Sequence, residues 1–204
     1  MSALAFLSPG AAHDAKGFHP VARSPLDRRL RDAGASFEER DGWLVPVSVP
    51  GEAAHLATVG VTDLSHLSVF EVRPAEPTLE LDGVITHRLS ARRALVFCPP
   101  ARAAAVREAL GDRFVLDLSG AFAIIAFAGP EAETVLRRIT HLHHLPASGE
   151  IAHINGHVLA PGGTTWVVCP QESGHYLWEV ILDRASALGG GPVGVDALAR
   201  GGSA

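Results

Sequence analysis

Cysteine, methionine and tyrosine are scarce in this 204-residue chain, at two, one and one, and aromatic residues make up only 6% of it. Two cysteines do not make the disulfide framework of a small secreted domain, so a reducing compartment is expected. Cys98 and Cys169 sit in the apolar runs Leu95-Val96-Phe97-Cys98 and Trp166-Val167-Val168-Cys169 and read as small buried hydrophobes. Long apolar stretches are also missing. The run from Ala121 to Ala128 falls far short of the ~20 residues that cross a bilayer as a helix. Met1 to Gly10 has no leading positive charge and no extended apolar core, so no secretory signal is expected and the chain reads as cytoplasmic. Concentrated positive charge is lacking as well. The net charge is −5, and the arginine doublets Arg28-Arg29, Arg92-Arg93 and Arg137-Arg138 are dispersed, which excludes the basic stripe of a nucleic-acid binder. The doublets read as solvated helix faces. Gly189-Gly190-Gly191 follows a helix pattern instead of preceding one, the wrong end for cradling a phosphate.

What is present is core material. Apolar residues are 47% and charged residues 19%, with a mean hydropathy of +0.19, a composition that buries a core. Residues 1–22 show little periodicity and read as an N-terminal arm. Ser24-Pro25 opens a short amphipathic helix presenting Leu26, Leu30 and Ala33 before Gly34. Further helices are predicted over 52–59, 101–110, 131–139 and 173–188, the last burying Leu177, Val180 and Ile181 together. Strands are predicted over 67–72, 79–90, 94–98, 114–118, 121–128, 150–154, 157–159 and 164–169. The strand 121–128 is apolar on both faces and is placed centrally. Ser119-Gly120 and Asn155-Gly156 read as tight hairpin turns. Strands and helices cluster without strict βα alternation, which predicts an α+β fold with antiparallel or mixed sheets. Two subdomains are expected, 23–112 and 113–200, followed by a tail over 201–204.

Five histidines, His141, His143, His144, His153 and His157, crowd one stretch, and neutral imidazole is a common metal ligand. Only Glu150 stands nearby to complete a ligand set, so they read as solvent-facing turn and strand residues with no metal site, a metal-binding protein being the alternative. Asp63, Ser65 and His66 bring a carboxylate, a hydroxyl and an imidazole together in sequence. A carboxylate and an imidazole close in space can exchange protons near neutral pH. Asp63 and Ser65 also suit the cap of a turn before the strand at Leu67.

The run Ser24-Pro-Leu, Gly42-Trp43 with Pro46, Pro50-Gly51-Glu52, and above all Val59-Gly-Val-Thr-Asp-Leu-Ser-His-Leu67 followed by Phe70-Glu-Val72, resembles the opening of the glycine-cleavage T-protein family of folate-dependent aminomethyltransferases. Asp117-Leu-Ser119, Phe127-Ala-Gly-Pro130, His141-Leu-His143, Val168-Cys-Pro170 and Leu177-Trp178 resemble the gamma subunit of heterotetrameric sarcosine oxidase, of the same superfamily. The resemblance implies two fused α/β subdomains of T-protein type without the C-terminal barrel domain, working in one-carbon metabolism on N-methyl amines. It implies Asp63 and His66 as catalytic positions and Leu67 and Trp166 as folate-contacting ones, with tetrahydrofolate as cofactor and FAD confined to partner subunits. The family's Asn-Asp-Val and Gly-Tyr-Thr-Gly-Glu segments are absent, and Pro161-Gly-Gly-Thr-Thr165-Trp166 stands where the second would fall. The resemblance therefore implies an accessory, sarcosine-oxidase-gamma-like subunit held by larger flavoprotein chains, with no nucleic acid or membrane partner. The alternative is a stand-alone tetrahydrofolate-binding, aminomethyltransferase-like protein.

Overall fold

The computed structural model describes residues 20–79 and 81–201. Most of the predicted arm, residues 1–19, lies outside them, as does the tail beyond 201. In chain order the elements are β1 (Ala22–Arg23), α1 (Asp27–Asp32), β2 (Ser36–Arg40), β3 (Trp43–Ser48), α2 (Glu52–Leu56), β4 (Gly60–Asp63), β5 (Ser68–Arg73), β6 (Ile85–Arg88) and β7 (Ala94–Cys98). There follow α3 (Ala103–Leu110), β8 (Phe114–Asp117), β9 (Phe122–Ala128), α4 (Ala132–Arg137), β10 (Ala147–Ile151), β11 (Ile154–Leu159), β12 (Thr165–Pro170), α5 (Gly174–Ser186), β13 (Gly191–Pro192) and α6 (Val195–Gly201). No helix among the described residues is long and apolar enough to cross a membrane. The fold is mixed α/β, with antiparallel and mixed sheets.

Contacts divide the chain into two units that are interleaved along the sequence, where the sequence pattern had predicted contiguous halves meeting near 112–113. One unit gathers 20–23, Glu39–Leu44 and His66–Ala121; the other gathers Ser24–Glu38, Val45–Ser65 and 122–201. The reason lies in the α1 segment: Leu26 just before the helix and Leu30 within it are fully buried in the core built by the later strands and helices. In the first unit, a four-stranded antiparallel sheet, ordered β6-β7-β5-β8, packs one face on α3. Phe70, Val72, Val96 and Cys98 from the strands meet Val106 and Leu110 from the helix. In the second, a six-stranded sheet runs β10-β11-β12-β9-β4-β13, antiparallel except for the β4–β13 pair. Its Ile125, Phe127, Val158 and Val167 pack with Leu26 of the α1 segment, Val135 of α4 and Leu177, Trp178 and Ile181 of α5. The strand placed centrally from its unbroken apolar run is β9, paired with β12 on one side and β4 on the other.

Three sequence expectations are corrected. Ser119-Gly120 does not turn a hairpin between β8 and β9: β8 pairs with β5, and Ser119 instead accepts the Val69 amide on its hydroxyl. The strand predicted over 79–90 is confined to Ile85–Arg88. The hairpin joining β10 to β11 turns at Ala152-His153, both at positive φ, with Ile151 opposite Ile154. Gly156 lies within β11 opposite Gly149, so His153 and His157 are not cross-strand neighbours. What requires glycine at 156 is proximity: a Cβ there would stand 2.6 Å from the Val168 carbonyl oxygen of β12. One hairpin passed unpredicted, β2 to β3, turned by Asp41 and Gly42 at φ 51° and 79°. That is the backbone of a primed turn, for which Asp-Gly is a strong signal.

Gly156→Ala is expected to lower stability by about 1–3 kcal/mol, as overpacking against a rigid carbonyl does. Denaturant unfolding of the variant checks this, and an unchanged midpoint would show that the β11–β12 pair yields.

Candidate functional site

Asp63 ends β4 with its side chain 1% exposed. Its Oδ1 accepts two hydrogen bonds from Ser65, from the backbone amide at 2.9 Å and from the hydroxyl at 2.5 Å. The Ser65 hydroxyl in turn accepts the Ile124 amide at 3.0 Å, and the Leu64 amide donates to the Ile124 carbonyl at 2.8 Å. The tripeptide Asp63-Leu64-Ser65 thus closes a side-chain turn and ties the end of β4 to the central strand. The turn-capping role expected of Asp63 and Ser65 is what the geometry shows. Burial pushes the Asp63 carboxyl above its ordinary range, opposed by the Ser24 and Ser65 hydroxyls and the Ser65 amide, while the Asp27 charge adds to the rise.

Asp63 and Trp166, two of the residues implied as a site, face different ways. Asp63 and Trp166 share the six-stranded sheet, yet its register sets them on opposite faces. Asp63 is in line with Ile125 and Val167, whereas Trp166 is in line with Ala126 and Thr62. Residues directly opposite across strands share a face. Trp166 is half-buried, packed on the cluster of Ala126, Ala128, Val193, Ala197 and Leu198 beneath α6. His66 and Leu67 belong to the other unit. Leu67 is buried and leads into β5. His66 is half-buried, and its pKa is lowered to about 4, by burial first and then by the Arg40 charge, with Asp41 acting against both. At neutral pH its imidazole is uncharged.

The five-histidine stretch does not assemble either. His141, His143 and His144 are exposed in the loop before β10, and His153 stands in the hairpin turn beside Glu150. Among the described residues no three metal-ligating side chains come together. His157 is placed differently from the other four. Its Nδ1 lies 2.8 Å from the Ser148 hydroxyl, and its ring meets that of Phe122 edge-on at 6.4 Å. With Asn155, Val168 and Pro170 these side chains line an open hollow of about 400 Å³ on the six-stranded sheet. The thiols are inert: burial pushes Cys98 up to about 11 and Cys169 up to about 12.

A polar group the sequence reading passed over is Glu71, buried in the middle of β5. Arg73 Nε donates to one of its oxygens at 2.7 Å and Arg93 to the other at 2.5 Å. Arg93 is therefore no solvated helix residue but the partner of a buried carboxylate at the mouth of a strand. An acid inside Val69-Phe70-Glu71-Val72 was the available signal, since a buried charge needs pairing.

No family model matches the chain. In sequence it is similar to the aminomethyltransferase of Mycobacterium bovis, 29% identical over 223 residues, spanning 87% of this chain and 61% of that protein. In structure it is similar to the glycine cleavage system aminomethyltransferase T of Bartonella henselae, with a TM-score of 0.66 and 19% identity over 87% of this chain and 60% of that one. The class is thereby defined: the chain has the glycine-cleavage T-protein-like fold. It is also similar to a gamma-type chain of the heterotetrameric sarcosine oxidase of Corynebacterium sp. U-96, with a TM-score of 0.60 and 17% identity. That match covers 82% of this chain and 96% of the other. The chain spans about three fifths of the aminomethyltransferases it resembles.

Ser65→Ala is expected to destabilise by about 1–3 kcal/mol, because it strips a donor from a buried carboxylate and an acceptor from the Ile124 amide. Asp63 and His66 give opposite pH signatures. The raised Asp63 value means its contribution to stability is present below the ordinary 3.8 and is lost as pH rises through the folded value. Asp63→Asn, which keeps an acceptor for Ser65, should remove that loss. The lowered His66 value means the unfolded chain binds its proton first, so stability falls as pH drops from 6.5 toward about 4. His66→Gln should flatten that limb. Thermal melts across pH on each variant read both, and parallel curves for variant and wild type would refute the assignment.

Proposed function

We propose that the chain is an accessory, sarcosine-oxidase-gamma-like subunit of a flavin- and folate-linked complex that oxidises N-methyl amines or transfers their one-carbon unit. Its partners in this reading are larger flavoprotein subunits, which carry the FAD. The observation that carries it is the fold similarity to the sarcosine oxidase chain, which spans 82% of this chain and 96% of that one. The geometry around Asp63 supports the same reading. A carboxylate that is buried, doubly bonded to Ser65 and on the opposite sheet face from Trp166 serves the fold more directly than a substrate.

The residues present do not fit pterin recognition as the resemblance implies it. An aminopterin ring presents several donors and is held best by charged acceptors. Between β11 and β12 no carboxylate occurs, and the Thr164 hydroxyl is already donated to the Pro161 carbonyl at 2.7 Å. Leu67 and Trp166 offer apolar surface, which can support a ring without selecting it. The second reading, a stand-alone tetrahydrofolate-binding aminomethyltransferase-like protein, draws on the sequence similarity to aminomethyltransferases along 87% of the chain.

Anaerobic calorimetric titration of the purified chain with tetrahydrofolate separates the two. The accessory reading expects no heat at millimolar ligand and stable co-purification with co-expressed flavoprotein subunits of the sarcosine oxidase type. Saturable micromolar binding, abolished by Trp166→Ala, would overturn it in favour of the second.

A further inference from the structure

One face of the four-stranded sheet is closed to solvent over its inner strands, where Val69 of β5 and Leu95 and Phe97 of β7 are buried. At the outer strand the closure stops. Phe114 and Leu116 of β8 stand on this face, opposite Arg73 and Glu71, and are 57% and 45% exposed. Large apolar side chains this open, side by side on an edge strand, form the kind of surface that pairs with another strand unless guarded.

The backbone is open in the same direction. The Leu118 amide donates to the Val69 carbonyl at 2.8 Å, which sets the alternation of the antiparallel pair. Phe114 and Leu116 aim their backbone groups at β5, and Val115 and Asp117 aim theirs away from it. Among the described residues β8 has β5 as its one neighbour. No proline, lysine or bulge interrupts Phe114-Val115-Leu116-Asp117, and among the described residues no further strand pairs with it.

The charge beside this strip has one sign. Arg73 and Arg93, both half-exposed, converge on the single carboxylate of Glu71, and the Arg73 guanidinium lies 5.6 Å from the Phe114 ring centre. Two guanidiniums on one carboxylate leave a positive charge uncompensated. Glu71 is also the one acid that the four strands place on this face.

We propose that β8 docks an extended segment of a partner polypeptide as an added fifth strand, its apolar side chains on Phe114 and Leu116 and its carboxylates on Arg73 and Arg93. This rests on reading the chain as a subunit, and it names the surface by which a subunit would be held. Backbone bonds to Val115 and Asp117 supply affinity, and the alternating side chains supply selection. A second copy of the chain is the poorer occupant. Its own β8 would bring another Arg73 and Arg93, with Glu71 already committed to both.

The probe is a fluorescein-labelled synthetic peptide repeating valine-threonine-glutamate-threonine, which sets valine and glutamate on one face of a strand, compared by anisotropy against the full chain with the counterpart carrying lysine for glutamate. The glutamate peptide should bind about tenfold more tightly, a preference that fades with salt as exposed charges are screened. It should lose about tenfold in affinity on the double change Phe114→Ser and Leu116→Ser. Amide exchange on the unmutated chain guards against a variant that fails to fold: adding the peptide should slow exchange at Val115 and Asp117. Equal binding of the two peptides, or binding that leaves those amides unprotected, overturns the proposal. So does a concentration-dependent dimer in sedimentation that the double variant abolishes. Co-purification with flavoprotein subunits stays a separate readout, so failure of this docking surface is distinguishable from failure of the subunit reading.

Discussion

The hydroxyl of Ser65, held between the Asp63 carboxylate and the Ile124 amide, is the contact on which the six-stranded sheet depends. It acts where β4 ends and the chain departs for the other unit, so it fixes the exit of the strand at its junction with β9. The same carboxylate feels the Ser24 hydroxyl, which also accepts the Leu26 amide at the entrance to α1. One buried acid thereby links the first helix, the fourth strand and the central strand. The local turn bonds its Oδ1, while its Oδ2 is buried without a hydrogen bond among the described residues, a cost that goes with the raised pKa.

That arrangement changes what the most family-like stretch of the chain means. Asp63 to Leu67 is the most specific stretch of the resemblance drawn from the sequence, and part of it is accounted for by turn geometry alone. The T-protein-like fold can therefore persist in a chain whose pterin-selecting acids are absent.

Helices α1 to α5 and the longer inner strands were legible because periodicity and stop signals agree: Leu26 and Leu30 before Gly34, the continuous run into β9, and Leu177 with Ile181 in α5; α6 was missed. The short β4 was not, because Gly60-Val61-Thr62-Asp63 carries too few residues to show a period and follows directly on a helix. Asn155-Gly156 misled for a different reason. The same dipeptide that favours a primed turn also permits a close strand crossing, and the Val168 carbonyl decided between them. The convergence of site residues was illegible in principle. Whether Asp63 and Trp166 share a face depends on register across three strands, and a one-residue slip inverts the answer.

The interleaving of the two units bears on how the chain comes to be folded during synthesis. All the strands of the four-stranded sheet, with α3, lie between Ser68 and Asp117, so that sheet draws on contiguous chain. The six-stranded sheet is different: β4 closes against β13, a strand from near the far end of the described chain, in a parallel pair. Long loop closures must be made before such a pair returns any stabilisation. Until β9 is made the Asp63 turn lacks the Ile124 amide that its serine accepts, and until β13 is made β4 lacks its second sheet neighbour beside Gly60 and Val61.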